Sequence, residues 1–401
     1  MPSNSPARQF DIVVIGGGIH GAGVAQAAAA AGHSVLVLEQ TALAAGTSSR
    51  SSKLIHGGLR YLESAQFNLV RECLHERTLL LKNAPDLVKL KPFYLPIYPD
   101  TTRRPWQVRS GLALYAALGG LGSDTRFRQI PKRDWPSLDG LELRGLEKVF
   151  CYYDAQTDDA ALTAAVMRSA QSLGAELVMP AEFISGLRKP SHDDGYIVRY
   201  HHNGTEQLCE TGFIINAAGP WGNQVLSRIS PAVNKLAMEL VQGTHIILEG
   251  QVIQGIYYVE APQDKRAVFV MPWQDKLMVG TTETVYQGDP AKVVPLPNEI
   301  SYLCQTLAHY FPTYHHVSNE NVLSAFAGLR VLPKSMGSAF SRPRDTIFHV
   351  DNRDQPRLVT IYGGKLTAYR ATAERLLHQF KDMLPKRKAV ADTRTLPLLP
   401  E

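Results

Sequence analysis

The pattern of apolar positions at the start of the chain predicts strand, turn, helix, strand. Residues 10–15 form an apolar, β-branched run and residues 16–18 are three glycines. Residues 19–31 read as a helix of small side chains, and residues 34–39 are apolar again. This is one βαβ opening. A later apolar run, residues 213–216, leads into Ala217-Ala218-Gly219-Pro220 and reads as another strand of the same unit. From Leu358 the pattern returns to strand, Gly-Gly turn and helix.

Between these pieces, helices are predicted over residues 67–81 and 158–173, with a proline-rich segment over residues 85–105. Strand-like runs over residues 244–248, 267–270 and 276–279 dominate the region after Trp221. The expected fold class is α/β, a Rossmann-type nucleotide-binding domain with a discontinuous chain path plus a mostly β substrate-binding domain. The nucleotide-binding domain is assigned residues 1–95, 150–225 and 326–390. The substrate-binding domain takes residues 96–149 and 226–325, and residues 391–401 form a tail.

A chain of 401 residues fits two structural units. Apolar residues at 44% and charged residues at 20% exclude disordered and fibrous classes. The net charge of +5 suits an anionic substrate or an anionic membrane surface and is too diffuse for nucleic acid. Cys73, Cys151, Cys209 and Cys304 are far apart, so neither a disulfide framework nor a metal site is expected. The polar N-terminus lacks the apolar core of a secretory signal, and no apolar stretch is long enough to span a bilayer. A cytoplasmic protein with at most peripheral membrane contact is expected.

Gly16, Gly18 and Gly21 form a GxGxxG pattern directly after a strand and at the opening of a helix. There the missing side chains let backbone amides approach a pyrophosphate. Glu39 ends the next strand eighteen residues after Gly21, where its carboxylate can accept hydrogen bonds from ribose hydroxyls. A free 2′-hydroxyl fits FAD or NAD rather than NADP. Residues 45–53 are a hydroxyl-rich run, either a solvated loop or a cradle for a diphosphate. In residues 54–63, His56, Arg60 and Tyr61 flank Gly57 and Gly58, which favours a cofactor-contacting loop.

At this point the chain closely resembles the FAD-dependent, quinone-linked glycerol-3-phosphate dehydrogenases, within the D-amino-acid-oxidase-like flavoprotein superfamily. The resemblance rests on GGGIHGAG at residues 16–23 and TSSRSSKLIHGGLRYLE at residues 47–63. It continues through Asp158-Asp159-Ala160, NAAGPW at residues 216–221, Gly243-Thr244-His245 and VFVMPW at residues 268–273. Further on come Gly280-Thr281-Thr282-Glu283, Gly328-Leu329-Arg330, Arg344-Asp345 and GGKLT at residues 363–367.

The resemblance implies FAD as cofactor, held by Gly16, Gly18, Gly21, Glu39, Thr47, Ser48, Ser49, Lys53, His56, Gly57, Gly219, Gly363, Gly364, Lys365 and Thr367. It places Arg60, Tyr61, His245, Arg330 and Arg344 on the substrate side, the two last arginines as a phosphate clamp. His245 is the expected acceptor of the hydroxyl proton, with His56, Lys365 and Arg330 as alternatives. Lys365 is expected to stabilise reduced flavin.

The implied reaction is oxidation of sn-glycerol 3-phosphate to dihydroxyacetone phosphate by hydride transfer to flavin N5, with electrons passed to the quinone pool. Two alternatives remain: a flavin oxidase of a 2-hydroxy acid or small amine, and a catalytically silent flavin-binding module. Residues 103–115 combine three arginines with Trp106, Leu112, Leu114 and Tyr115, which suits either a surface helix packed on its own domain or a helix lying on the inner face of the cytoplasmic membrane. Departures from the family pattern are Ala218 for Thr, Glu283 for Asp, and the expected absence of a C-terminal helical domain.

Overall fold

The computed structural model of the chain describes residues 8–190, 195–334 and 346–400. Its first sheet is built on Arg8–Ile15, whose Ile12, Val13 and Val14 are fully buried. Parallel neighbours flank this strand: Val35–Leu38 on one side, with Glu176–Val178 beyond it, and Thr205–Asn216 on the other. The C-terminal end of Thr205–Asn216 continues the parallel order to Leu358–Tyr362, while its N-terminal half pairs antiparallel with Tyr196–His202. Near-continuous apolar runs are what a parallel sheet covered on both faces requires.

Helix Ile19–Ala30 is glycine- and alanine-rich and buried on nearly every side, so it lies close to the sheet and to its neighbouring helices. A Cβ on Gly21 would stand 1.9 Å from the Gly16 carbonyl oxygen, and one on Gly23 would meet the Tyr369 ring at 2.6 Å. Helix Tyr369–Gln379 follows Leu358–Tyr362 and brings Tyr369 to that contact. The segment after it runs back over the domain, where Val390 N–H donates to Ala30 O and Leu398 N–H to Asn83 O.

The second sheet is mixed. Met238–Leu248 pairs antiparallel with Val322–Pro333 along almost its whole length, and on its other edge with Thr284–Tyr286 and Lys276–Gly280. The sheet continues through Ala267–Trp273, Ile256–Glu260, Val88–Ile97, Lys148–Thr157 and Leu54–Ile55. Helix Pro297–Tyr310 packs with Leu303 and Leu307 on one of its cores; Val70 and Leu74 of helix Phe67–Asn83, with Leu112 of helix Pro105–Leu118, enter another.

Sheet membership divides the chain differently from the expected boundaries. Residues 88–95, 150–157 and 326–333, assigned to the nucleotide-binding domain, belong to strands of the second sheet. The proline-rich segment hides a strand because Pro92 and Pro96 lack the N–H that a ladder uses. Pairing with Ile256–Glu260 is confined to Phe93 and Tyr94, between the two prolines, and buried Phe93, Tyr94, Leu95 and Ile97 supply the packing.

Gly21→Ala places a methyl group against the Gly16 carbonyl and forces the first helix off its strand. The expected cost is about 1–3 kcal/mol. Thermal melting should show a lowered midpoint and the purified variant should retain less dinucleotide; an unchanged midpoint with full cofactor content would contradict this packing account.

Candidate functional site

One cavity of about 640 Å³ runs from Gly16, Gly18 and Glu39 past Thr47, Ser48, His56 and Thr367 to Tyr258, Phe269, His245 and Arg330. At its nucleotide end, Gly16 and Gly364 hold φ of +109° and +103°, backbone that side chains rarely adopt. Helix Ile19–Ala30 begins there with no acidic residue in its own first turn. Glu39 lines the cavity beside it while accepting from Gly17 N–H at 2.6 Å and Thr41 N–H at 2.8 Å. A glycine cradle, a helix N-terminus and a cavity-lining carboxylate fit a dinucleotide carrying a diphosphate.

The run at residues 47–53 is a clamped loop. Ser48 Oγ accepts from Ile19 N–H at 2.9 Å, and Thr47 Oγ1 donates to Leu329 O at 2.7 Å, so the loop touches both sheets' elements. Ser51 donates through N–H and Oγ to Asp159 Oδ2, at 3.0 and 2.6 Å. Lys53 Nζ donates to the buried Asp159 carboxylate and to Ser49 O. The neighbouring Gly57 N–H donates to Tyr115 Oη at 2.8 Å, and Tyr115 donates to Asp154, which Arg77 holds at 2.7 Å.

Four expected cofactor residues do not line the cavity. Gly21 serves helix packing, Gly57 turns its amide to Tyr115, Ser49 hydrogen-bonds Gly46 O, and Lys53 is spent on Asp159. Burial drives the last correction: an ammonium this far from water needs a carboxylate, and Asp159 supplies it. Gly16, Gly18, Glu39, Thr47, Ser48, His56, Gly219, Gly363, Gly364, Lys365 and Thr367 do line it, as do Arg60, Tyr61, His245 and Arg330. Arg344 and Asp345 lie outside the described residues.

Next to Gly364, Lys365 Nζ sits 3.5 Å from the Tyr61 ring centroid. Arg330 donates to Thr281 Oγ1 at 3.1 Å and Thr282 O at 3.4 Å, with Glu283 3.7 Å away. His245 is 1% exposed; its ring stacks on Phe326 at 5.0 Å, its Nε2 lies 2.9 Å from Ser52 Oγ, and its Nδ1 has no partner among the described residues. Burial first, then Arg330 and Lys53, pull this imidazole down to about 3, so it is neutral at neutral pH. Tyr258 and Phe269, an edge-to-face pair, form an apolar wall. Sequence reasoning assigned no role to Ser52, Tyr258 or Thr281. Ser52 and Thr281 stood within quoted motifs, and Tyr258 carries no motif signal.

Residues 11–370 match the family described as FAD dependent oxidoreductase. The chain is 38% identical to the D-erythritol 1-phosphate dehydrogenase of Brucella abortus (strain 2308), over 94% of this chain and 74% of that protein. It is 36% identical to a glycerol-3-phosphate dehydrogenase of Pseudomonas aeruginosa, over 95% of this chain and 73% of that protein. Among solved structures it is similar to the glycerol-3-phosphate dehydrogenase of Bacillus halodurans complexed with FAD. That likeness has a TM-score of 0.75 at 25% identity, and covers 98% of this chain and 68% of that one.

The depressed His245 pKa sets a pH dependence. The unfolded state binds a proton near pH 6.5 and the folded state only near 3, so the stability that neutral His245 contributes is complete above pH 6.5 and is lost as pH falls below it. His245→Asn should flatten the fall in folding stability between pH 6.5 and 4, by up to about 1.4 kcal/mol per pH unit. Denaturant melts of the two proteins at stepped pH check this, and parallel slopes would contradict it.

Proposed function

Because the chain belongs to the FAD-dependent oxidoreductase family, on its glycerol-3-phosphate dehydrogenase branch, we propose that it oxidises sn-glycerol 3-phosphate to dihydroxyacetone phosphate and passes the electrons to a membrane quinone. The observation that carries the substrate reading is that Arg330, whose charge together with burial keeps His245 neutral, lines the same cavity as Arg60 and Lys365. Cationic groups there suit a phosphate, and an apolar wall suits a short carbon chain. Bound FAD supplies the two-electron acceptor.

The protein's own groups would then orient and deprotonate the substrate. Arg330, held by Thr281 and Thr282, takes the phosphate and fixes where the carbinol carbon lies. His245 takes the hydroxyl proton on the ring that Ser52 and Phe326 hold in place. Arg330 is also one of the two cations that lower His245, so a phosphate dianion on Arg330 offsets that charge and raises the imidazole's proton affinity as substrate binds. Lys365 places positive charge on the side where the GGKLT turn lines the cavity.

A second substrate reading is favoured by the 38% identity to a D-erythritol 1-phosphate dehydrogenase: a four-carbon polyol phosphate would use the same clamp. Anaerobic mixing of the FAD-loaded protein with glycerol 3-phosphate, D-erythritol 1-phosphate, glycerol or lactate separates the cases. Bleaching of oxidised flavin by a phosphorylated polyol alone is expected, and Arg330→Met should weaken that substrate's apparent binding by about tenfold or more. Bleaching by lactate, or no bleaching by any of the four, would overturn the proposal.

The acceptor reading draws support from helix Pro105–Leu118. Val108, Leu112 and Tyr115 face the core, while Trp106, Arg109, Ala113, Leu114 and Ala117 share an exposed face that Leu121 extends. Trp106 is 69% exposed. Arg103 does not join this face, since Glu63 and Glu260 bind its guanidinium. A mostly apolar face that carries Arg109 suits an anionic bilayer surface. The protein should co-sediment with vesicles containing phosphatidylglycerol, and Trp106→Glu with Leu121→Glu should release it at unchanged flavin content; equal sedimentation of wild type and variant would remove this helix from the account.

A further inference from the structure

Behind the substrate end of the cavity lies a second buried polar centre. Glu299, in the first turn of helix Pro297–Tyr310, is 3% exposed, and five neutral donors converge on its carboxylate. Oε2 accepts from Gln242 Nε2 at 2.6 Å, Thr244 Oγ1 at 2.6 Å and Leu296 N–H at 3.1 Å. Oε1 accepts from Thr282 Oγ1 at 2.8 Å and Thr284 Oγ1 at 2.7 Å. Capping the helix needs only the Leu296 bond; the other four come from the side chains of two neighbouring segments of the second sheet.

One of those segments carries His245 and the other holds Arg330. Thr244 precedes His245 in its strand. Thr282 Oγ1 accepts from Thr244 N–H at 2.9 Å, so Glu299, Thr282 and Thr244 close a ring of hydrogen bonds. On the other side, Thr281 Oγ1 and Thr282 O accept from Arg330. Space there is tight, since a Cβ on Gly243 would lie 2.6 Å from Thr281 Oγ1 and 2.8 Å from Arg330 Nη2. A shift of the residue 281–284 segment moves the oxygens that aim the guanidinium.

We propose that Glu299 is a positioning residue for substrate recognition: its carboxylate fixes the Thr281–Thr282 segment, and through it the direction in which Arg330 presents its guanidinium. Glu299 does not line the cavity and touches no substrate itself. A charged acceptor suits the task because it receives from hydroxyl, amide and backbone donors at once with no donor of its own to satisfy. An amide of the same shape turns one acceptor into a donor facing Thr282 and Thr284. The inference rests on the reading that Arg330 binds the substrate phosphate.

The experiment compares Glu299→Gln, Arg330→Met and wild type as FAD-loaded oxidised proteins, titrated with dihydroxyacetone phosphate by calorimetry. Thermal melting and flavin absorbance are recorded alongside. Both variants should keep their flavin content, and both should bind dihydroxyacetone phosphate about tenfold or more weakly, with KM for the phosphorylated substrate rising more than kcat falls. If Arg330→Met weakens binding while Glu299→Gln stays within twofold of wild type, even with a lowered melting point, Glu299 is a structural cap and the proposal is overturned. If Arg330→Met itself binds normally, the phosphate reading of Arg330 fails and takes this inference with it. Should Glu299→Gln not yield holoprotein, Thr282→Val cuts the same link and is judged by the same limits.

Discussion

Asp159 is the constraint on which the arrangement of the cavity depends. Its carboxylate is fully buried at the start of helix Asp159–Ser172, and it accepts from Ser51 twice and from Lys53. An uncompensated charge there would cost several kcal/mol, so the loop over residues 47–53 has one place to lie. From that place Ser48 meets the first helix, Thr47 meets the strand Val322–Pro333, and Ser52 meets His245. Groups belonging to two sheets are therefore registered to one another through a single loop, and the glycine turn and Arg330 inherit their separation from it.

The electrostatics follow from the same geometry. Lys53, satisfied by Asp159, also stands near the Trp273 and Phe326 rings, and burial, with Arg330 and Lys53 behind it, holds His245 neutral. The site thus keeps its cations on fixed positions and His245 unprotonated, the charge state that the proposed oxidation of an anionic alcohol would use. Charge on the chain as a whole says little of this. The net +5 is modest, and the relevant groups are selected by burial rather than number.

Legibility in the sequence tracked how local each physical cause is. Gly16, Gly18 and Glu39 lie within one strand-turn-helix-strand unit, so their spacing was readable in the sequence, and they line the cavity, whereas Gly21 of the same pattern packs the helix. Strand Val88–Ile97 was illegible because its prolines argue against a ladder, and only the partner strands explain how they are tolerated. Lys53 was misassigned for the opposite reason. It sits inside a diagnostic run, yet its direction is decided by Asp159, more than a hundred residues away. Tyr258 and Glu299 gave no signal because a tyrosine in a strand and a glutamate in a helix's first turn are ordinary, and their meaning lies in what the second sheet brings to them.

The two groups proposed to meet the substrate, His245 and Arg330, stand on paired strands. Val241 pairs with Arg330 in the ladder between Met238–Leu248 and Val322–Pro333, and His245 pairs with Phe326 in the same ladder. His245 and the proposed phosphate ligand consequently sit on adjacent strands at fixed register, and a one-residue slip of either strand would turn its own side chain to the other face. Hydrogen bonds finish what the register begins, since Ser52 sets the imidazole and Thr281 with Thr282 sets the guanidinium. Preorganisation of this kind holds the groups before substrate arrives, so substrate binding energy is free to act on the reacting geometry rather than on ordering the protein.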